Sequence, residues 1–311
     1  MISQTLVDVG LLVAGVGLLW KGADWGVNSA CRLAHRFGLP DAAVGVSVVA
    51  LGTSAPELTV SVLAALRGQP DIAVANIIGS SIFNLGIILG GCAAIWTVST
   101  TRPLVGRDAP VLLLATLLLL LFLDDRLLGR WEGVAMVMCL GAYLLHLVTR
   151  RGLRFETYDL ASEDTDSGRD YFGLILGLGG VLGGAHLLVG SASDLARLMG
   201  ISDWAIGVTI VAAGTSLPEL ATALVAARRG RMGMLAGTLV GSDLFNLLGV
   251  LGLTAFLHPL AVNHEVGESL MLMAAMVTVL IVLLRTGWRL TRAEGLVLIG
   301  IGLRRWWRDL Q

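Results

Sequence analysis

Long apolar runs separated by short polar segments make up nearly the whole chain. A helix of about 20 apolar residues crosses the hydrocarbon core of a bilayer, which is roughly 30 Å thick. The pattern therefore predicts an all-α integral membrane protein with about ten transmembrane helices. The predicted spans are residues 5–28, 41–66, 71–96, 104–123, 127–149, 171–196, 203–227, 232–257, 267–285 and, over a shorter run, 291–303.

The second half of the chain repeats the first at a constant offset of 162 residues. Residues 52–58 read GTSAPEL and residues 214–220 read GTSLPEL, and nearly half of the positions from 41 to 90 are identical to their partners. Five spans per copy is an odd number, so the second copy enters the membrane from the opposite side. The expected units are two inverted five-helix repeats at 1–149 and 171–311 and a cytoplasmic linker at 150–170.

Composition agrees with a membrane-embedded chain and excludes several other classes. Of the 311 residues, 55% are hydrophobic and only 14% are charged, and the mean hydropathy is +0.80, which indicates lipid as the solvent. The net charge of −1 gives no indication of a nucleic-acid partner. The three cysteines have neither metal-site nor disulfide-framework spacing. The oligomeric state is left open.

The distribution of arginine predicts the orientation. Arginines are concentrated in the segments that follow the odd-numbered spans, and by the positive-inside rule these segments are cytoplasmic. The N-terminus is then extracytoplasmic, and residues 1–28 form the first span because they lack a basic signal-peptide region. The abundance of arginine over lysine favours a bacterial inner membrane. The arginines assigned to the cytoplasmic face are at 32, 36, 102, 107, 150, 151, 154, 169, 228, 229, 231, 285, 289 and 292.

Each repeat places a glutamate, Glu57 or Glu219, inside an apolar run. An ionisable residue at this depth indicates a functional site. Pro56 lacks a backbone N–H and crowds the carbonyl four residues earlier, so it predicts a kink with free carbonyls, which the membrane tolerates only toward protein or water. Thr53 lies four residues before Glu57, as Thr215 does before Glu219, so each pair shares a helix face.

A second polar pair follows in each repeat, Ser80 with Asn84 and Ser242 with Asn246, again four residues apart. Every group in this set is an oxygen donor, the type of ligand that Na⁺ and Ca²⁺ prefer. Two carboxylates match the charge of one Ca²⁺. They are equally compatible with two or three Na⁺ or with protons.

These paired GTSxPE and GSxxFN motifs resemble those of the cation/calcium exchanger superfamily, and their Thr-Ser-Pro form is similar to the prokaryotic type of its sodium/calcium exchanger branch. The resemblance covers essentially the whole chain. It implies an antiporter that is not an enzyme, needs no cofactor and takes Na⁺ and Ca²⁺ as substrates within the lipid bilayer. It also implies alternating access, with the first and sixth helices sliding across a fixed core and three Na⁺ exchanged for one Ca²⁺.

The resemblance further implies which residues bind the ions. The implied Ca²⁺ ligands are Thr53, Glu57, Thr215 and Glu219. The implied Na⁺ ligands are the same glutamates with Ala50, Ser54, Ser80, Asn84, Ala212, Ser216, Ser242 and Asn246, where the two alanines contribute carbonyl oxygens.

Two positions differ from the family pattern. Potassium-dependent relatives have Asp where this chain has Asn246, so K⁺ co-transport is not expected. Relatives usually read GSN where this chain has Ser80-Ser81 in one repeat and Ser242-Asp243 in the other. Asp243 is therefore a candidate either for a third carboxylate near the site or for a helix-packing or pore-edge role. The apolar run that begins at Ala293 stops at Leu303, about half a bilayer core in helical length, so the sequence does not decide whether the tenth helix spans the membrane.

Two other functions fit parts of the pattern. A Ca²⁺/H⁺ antiporter of the same fold is the main alternative, since carboxylates in a low dielectric can carry protons. An intramembrane hydrolase with Ser54 or Ser216 as nucleophile is a remote alternative, because neither motif contains a His or Lys base.

Overall fold

The computed structural model describes residues 2–36, 44–149, 167–199, 212–263 and 265–309, nearly all of them helical. The α-helices are α1 (Ile2–Arg36), α2 (Ala50–Thr53), α3 (Ala55–Leu66), α4 (Pro70–Phe83), α5 (Gly90–Ile95), α6 (Ala109–Phe122), α7 (Arg130–Thr149), α8 (Ser167–Leu198), α9 (Ala212–Thr215), α10 (Leu217–Arg228), α11 (Met232–Leu244), α12 (Gly252–Leu257), α13 (Glu265–Arg285) and α14 (Arg292–Asp309). Four π-helical stretches lie between or before them: π1 (Gly45–Val49), π2 (Asn84–Leu89), π3 (Leu104–Asp108) and π4 (Phe245–Leu251). The strands are β1 (Val98–Ser99), β2 (Leu127–Leu128), β3 (Leu260–Ala261) and β4 (Arg289–Leu290).

The predicted all-α membrane class is confirmed, and the predicted count of ten spans is not reached. Six described helices are long and apolar enough to cross a membrane, and the bent pair at 45–53 and 55–66 is a seventh candidate. α14 is not among them. Its helix nevertheless continues to Asp309, six residues beyond the apolar run, so the shortening predicted from the sequence affects the apolar stretch and not the helix.

Most of the predicted linker, residues 150–166, lies outside the described residues. Its last four residues, 167–170, are the first turn of α8, so this helix begins earlier than predicted. The beginning of the predicted span 203–227, up to residue 211, also lies outside them.

The predicted kink is present in the first repeat. The axes of segments 45–53 and 55–66 differ by 50°. The chain leaves helical geometry at Ser54 (φ −77°, ψ 3°), directly before Pro56. Ser216 has nearly the same conformation (φ −89°, ψ 7°) before Pro218. The two broken helices therefore have similar backbone geometry at the break, because each has a proline in the first turn of its second segment.

Two glycines end α3 and α10 in the same way. Gly68 and Gly230 have φ values of +72° and +69°, a left-handed conformation that glycine adopts without a steric penalty. Each lies two residues beyond the end of a helix whose last carbonyls accept backbone N–H groups in a Schellman arrangement, such as Gly68 N to Ala65 O at 3.0 Å and Gly230 N to Ala227 O at 3.0 Å. This turn sends the chain directly into α4 or α11.

α1 and α8 pack antiparallel along a line of glycines. A Cβ atom on Gly22 would lie 2.6 Å from the backbone nitrogen of Val181, and one on Gly15 would lie 3.0 Å from the Gly184 oxygen. Backbones this close are typical of helix pairs in lipid, where van der Waals packing replaces the hydrophobic effect. Many of the chain's 40 glycines lie in these two helices, and they allow the two backbones to approach this closely.

The short strands and the last helix of each repeat pack against the other repeat. β1 pairs with β4 and β2 pairs with β3, so each strand of one half pairs with the other half. The helices follow the same rule, because the last helix of each repeat packs on the third span of the other. A Cβ on Gly90 of α5 would lie 2.9 Å from the Gly295 oxygen of α14, and one on Gly252 of α12 would lie 2.9 Å from the Gly133 oxygen of α7.

Candidate functional site

The broken helices place the predicted site residues in the middle of the fold. Thr53 ends α2 and Glu57 lies in the first turn of α3, while Thr215 and Glu219 hold the same places on α9 and α10. Helices α4 and α11 pack against these segments. They carry Ser80 and Ser242 shortly before the π-helical stretches that contain Asn84 and Asn246.

All the predicted site side chains for which burial is described are buried in the protein. Both glutamates and both asparagines are fully shielded from solvent. The least buried is Thr215, with 6% of its surface exposed. The buried members of the set are Thr53, Ser54, Glu57, Ser80, Asn84, Thr215, Ser216, Glu219, Ser242, Asp243 and Asn246.

Contacts across the two repeats join the glutamates to hydroxyl groups. Ser242 Oγ donates to Glu219 Oε1 at 2.9 Å and lies 3.2 Å from Thr53 Oγ1. Ser54 Oγ donates to Ser242 Oγ at 3.3 Å. In the other direction, Ser216 Oγ donates to Glu57 Oε1 at 3.4 Å. The Glu57 carboxylate thus accepts from a hydroxyl of the opposite repeat, and the Glu219 carboxylate accepts from a hydroxyl of the neighbouring helix α11.

The asparagines also contact the opposite repeat. Asn84 Nδ2 donates to Asp243 Oδ1 at 3.0 Å, and Asn246 Nδ2 donates to Ser80 Oγ at 3.4 Å. Ser80 Oγ donates in turn to the Ile77 carbonyl at 3.0 Å. The π-helical stretches π2 and π4 therefore bring side chains of both repeats to one place, which agrees with the frequent occurrence of π-bulges at functional sites.

Five acceptor oxygens in this cluster find no hydrogen-bond partner among the described residues. Buried polar atoms are almost always paired, so such a group of orphans needs a physical explanation. Every one of the five is a carboxylate or amide oxygen, which accepts but cannot donate in its ionised or amide form. A set of acceptors without donors is suited to bind cations. The five are Glu57 Oε2, Glu219 Oε2, Asn84 Oδ1, Asn246 Oδ1 and Asp243 Oδ2.

A cation here would be held mainly by hydroxyl, amide and glutamate oxygens. In the described part of the chain, no three His, Cys, Asp or Glu side chains lie close enough together to form a metal cluster by themselves. Such a donor set is typical of hard cations.

The two predicted carbonyl ligands, Ala50 and Ala212, begin the corresponding helices α2 and α9. Ala50 O accepts hydrogen bonds from Ser54 N at 3.0 Å and from Thr53 Oγ1 at 3.3 Å. A cation on this carbonyl would share it with the Thr53 hydroxyl. Ala212 is the first described residue of its segment and begins α9, the counterpart of α2.

Two further polar residues lie beside the site and are not among those predicted from the sequence. Asn76 Nδ2 donates to the Glu57 carbonyl at 3.4 Å and to Ser61 Oγ at 3.1 Å, which joins α4 to the turn of α3 that carries the glutamate. Ser81 is fully buried, and its hydroxyl has no partner within the described ranges. Both belong to the polar minority of an apolar helix, a signal that was available in the sequence.

A cavity of about 360 Å³ reaches the site from one side. Pro56 of α3, His186 of α8 and Thr215 of α9 contribute to its wall. Thr215 is one of the buried hydroxyls beside the glutamates, so the cavity lies next to the cluster.

Comparison with known proteins gives consistent matches over the whole chain. A family model described as "Sodium/calcium exchanger protein" matches residues 7–149 and 170–301. The sodium/calcium exchanger MaX1 of Methanosarcina acetivorans is 30% identical over 93% of this chain and 94% of its own length. The inner membrane protein YrbG of Escherichia coli is 34% identical over 82% of this chain and 81% of its own length.

A solved structure has the same overall architecture. The sodium–calcium exchanger NCX_Mj, soaked with zero Na⁺ and Ca²⁺, superposes with a TM-score of 0.87 and 30% sequence identity. The superposition covers 99% of this chain and all of that one.

Proposed function

The chain belongs to the sodium/calcium exchanger family, and from that membership we propose that it is a secondary antiporter that exports Ca²⁺ in exchange for Na⁺ by alternating access. The group of buried, unpartnered acceptor oxygens around Glu57 and Glu219 is the observation that carries the proposal. Two carboxylates balance one Ca²⁺. Three Na⁺ moving against one Ca²⁺ transfer one net charge per cycle, so the exchange is electrogenic.

We assign the ions to the residues named from the sequence. Thr53, Glu57, Thr215 and Glu219 bind Ca²⁺. Na⁺ uses the same glutamates together with the serines, asparagines and carbonyls around them. Support comes from the hydroxyl contacts: Ser242 reaches Glu219 and Ser216 reaches Glu57, so the proposed Na⁺ ligands already touch the proposed Ca²⁺ ligands. The same oxygens therefore bind either ion, but not both fully at once.

The proposed architecture is ten spans in two inverted repeats, 1–149 and 171–311, joined by a cytoplasmic linker at 150–170. Contacts near the ends of the spans support it. Asp24, near the end of the first predicted span, pairs with Arg229 after the seventh, and β1 after the third span pairs with β4 after the ninth. The ends of odd-numbered spans thus meet each other, as they do when they share one face of the membrane. By the positive-inside rule we assign that face to the cytoplasm and the N-terminus to the outside.

We propose that α1 and α8 move together during transport. They pack on each other through glycines, and their apolar stretches are only 28% buried. Both touch the broken helices: α1 packs on α10, and in α8 Leu178 lies against Gly52 and Val189 against Gly214. A shift of the pair along the core would close the present cavity and open another on the opposite side.

Calcium flux in proteoliposomes tests the function. Purified protein is reconstituted with Na⁺ inside, and uptake of radioactive Ca²⁺ is measured with and without an outward Na⁺ gradient while a membrane-potential dye records charge movement. We expect uptake only with the gradient, together with a potential change. Uptake that follows a pH gradient and ignores Na⁺ would establish the Ca²⁺/H⁺ antiporter instead.

Enzymatic activity does not fit the family. Relatives and structural neighbours of this chain are transporters. In the described site, Ser54 contacts another serine and Ser216 contacts Glu57, and neither hydroxyl contacts a histidine or lysine base.

A further inference from the structure

Asp243 is a buried carboxylate that has no acidic counterpart in the first repeat. The 162-residue register places Ser81 at the corresponding position. Both side chains are fully buried. Asp243 follows Ser242 directly and precedes Asn246 by three residues, so it lies on the helix that faces the broken segments. A carboxylate inside a membrane protein needs a partner, because an uncompensated charge is strongly disfavoured there.

The described groups close to Asp243 are the Asn84 amide, the Ser81 hydroxyl and the Glu219 carboxylate, and none of them is a cation. Asp243 Oδ1 accepts from Asn84 Nδ2 at 3.0 Å. Only the NH₂ group of an amide can donate, so this contact assigns the orientation of Asn84 and leaves its oxygen free to bind another group. That oxygen, Asp243 Oδ2 and Ser81 Oγ are all buried and have no partner among the residues described. Ser81 lies near Asp243 without reaching hydrogen-bond geometry.

The charges around the site leave Asp243 uncompensated. Arg32, Arg107 and Arg229 form ion pairs with aspartates other than Asp243. Asp243 is also close enough to Glu219 for the two carboxylates to repel each other. One Ca²⁺ balances the two glutamates, so the calcium-loaded site keeps one excess negative charge.

We propose that Asp243, Asn84 and Ser81 bind a monovalent metal cation, Na⁺ or K⁺, beside Ca²⁺. This inference rests on the proposed function and deepens it. The cation neutralises Asp243 in the calcium-loaded state, and its ligands are one carboxylate, one amide oxygen and one hydroxyl, a hard-ligand set. Either ion can occupy the site, because Na⁺ and K⁺ would meet the same ligands.

Calcium/calcium exchange tests this assignment. Proteoliposomes contain equal Ca²⁺ on both sides, and tracer exchange is measured in choline chloride, in low-millimolar NaCl and in KCl. This mode needs no Na⁺ gradient, so it isolates the added cation. We expect the wild type to exchange at least about tenfold faster with Na⁺ or K⁺ than with choline. Asp243→Asn should exchange rapidly in choline and gain nothing from either ion.

Two further variants control the result. Asp108→Asn removes a buried aspartate that accepts from Tyr143 at 2.9 Å, away from the site motifs, and should keep the wild-type cation dependence. Asp243→Glu keeps the negative charge and should also keep the wild-type cation dependence. If Asp243→Asn does not fold, thermal unfolding of the wild type tests the proposal instead. Ca²⁺ should then raise the Tm of the wild type more in KCl than in choline chloride.

The outcomes separate this inference from the proposed function. Equal wild-type exchange in all three salts, or an unchanged cation dependence in Asp243→Asn, overturns the assignment and leaves calcium exchange standing. Equal rates in all salts would mean that a proton neutralises Asp243. Absence of calcium flux in every medium overturns both proposals.

Discussion

The pair α1 and α8 and the pair of spans at 70–95 and 232–257 differ in how deeply they lie in the protein. The apolar stretches of α1 and α8 are each 28% buried, whereas those of the two central spans are 67% and 83% buried. The outer pair packs mainly on itself, through glycines. The inner pair holds Ser80, Asn84, Ser242 and Asn246 in contacts that cross between repeats. This difference in burial is compatible with the proposed mechanism, in which the inner pair holds the ions and the outer pair moves.

The largest expected effect comes from the centre. Glu57→Gln or Glu219→Gln should lower calcium flux by about a hundredfold or more, because each removes one of two central charges and keeps the side-chain shape. Folding should survive, since glutamine can still accept from the Ser216 or Ser242 hydroxyl. Flux is measured in proteoliposomes, and folding by monodispersity after extraction.

Glu132→Gln is the matched control. Its carboxylate accepts from Gly129 N at 2.6 Å at the start of α7, far along the chain from the site motifs. We expect its flux to stay within about twofold of wild type. Near-normal flux in a folded Glu57→Gln protein would remove this glutamate from ion binding.

Cross-links test whether the outer pair moves as a unit. A disulfide needs Cβ atoms about 3.5–4.5 Å apart. Ser29 and Gly173 would place theirs at 3.5 Å and join α1 to α8, whereas Val189 and Gly214 would place theirs at 3.4 Å and join α8 to the broken helix. We expect oxidation to leave transport unchanged in the first double cysteine variant. In the second it should reduce flux by about tenfold or more, in proportion to the cross-linked fraction.

Each cross-linked protein is its own control, because a reductant should restore flux. The exposed Cys139 is first replaced by serine, while Cys31 and Cys92 are buried. Loss of transport with the Ser29–Gly173 link would show that α1 and α8 slide past each other.

A smaller effect is expected at the ion pair that joins α1 to the segment after α10. Asp24 of α1 pairs with Arg229, which follows α10, and both side chains are partly exposed, at 29% and 40%. Exposed pairs of this kind contribute about 0.2–1 kcal/mol. Asp24→Asn should therefore change the exchange rate by about two- to fivefold through the balance between the two access states.

The control removes an ion pair within the outer pair. Asp170 of α8 pairs with Arg32 of α1 at 2.5 Å. Because both helices move together in the proposed mechanism, Asp170→Asn should lower thermal stability and leave the rate of the folded protein unchanged. Equal rate changes in the two variants would mean that the Asp24 pair does not report on the movement.

The smallest effect on ion binding is expected at the C-terminal end. Gly302 of α14 packs against Gly86 of π2, behind Asn84, but residues 304–311 lie beyond this contact. Deleting them should lower yield or Tm and change Na⁺ and Ca²⁺ affinity by less than about twofold. Affinities are read from the concentration dependence of flux. A stable truncated protein with altered ion selectivity would place this end at the site.

Much of the site follows from the sequence because its signals are local. Pro56 and Pro218 break their helices wherever those helices pack, and the i, i+4 spacing sets the faces of Thr53 and Glu57. What the sequence did not predict are the partners across the repeats. Ser242 contacts Thr53, Ser54 and Glu219, a meeting that depends on how the two halves dock. The strands are two residues long, too short for any periodicity to appear.

The boundaries were predicted less well where polar residues extend a helix. Hydropathy marks only the lipid-facing part, so α1, α8 and α14 run beyond their predicted ends. In α14 the charged residues from Arg304 onward continue the helix although they end the apolar run.

The exchange of terminal elements between repeats has a consequence for biosynthesis. α14 leaves the ribosome after the other described helices, yet it packs on α5 and π2 of the first repeat, and β4 completes the ribbon begun by β1. The first repeat therefore remains without one of its neighbours until the second has been inserted. The wall behind Asn84 closes only at that point, so a chain interrupted during insertion never forms a finished ion pathway.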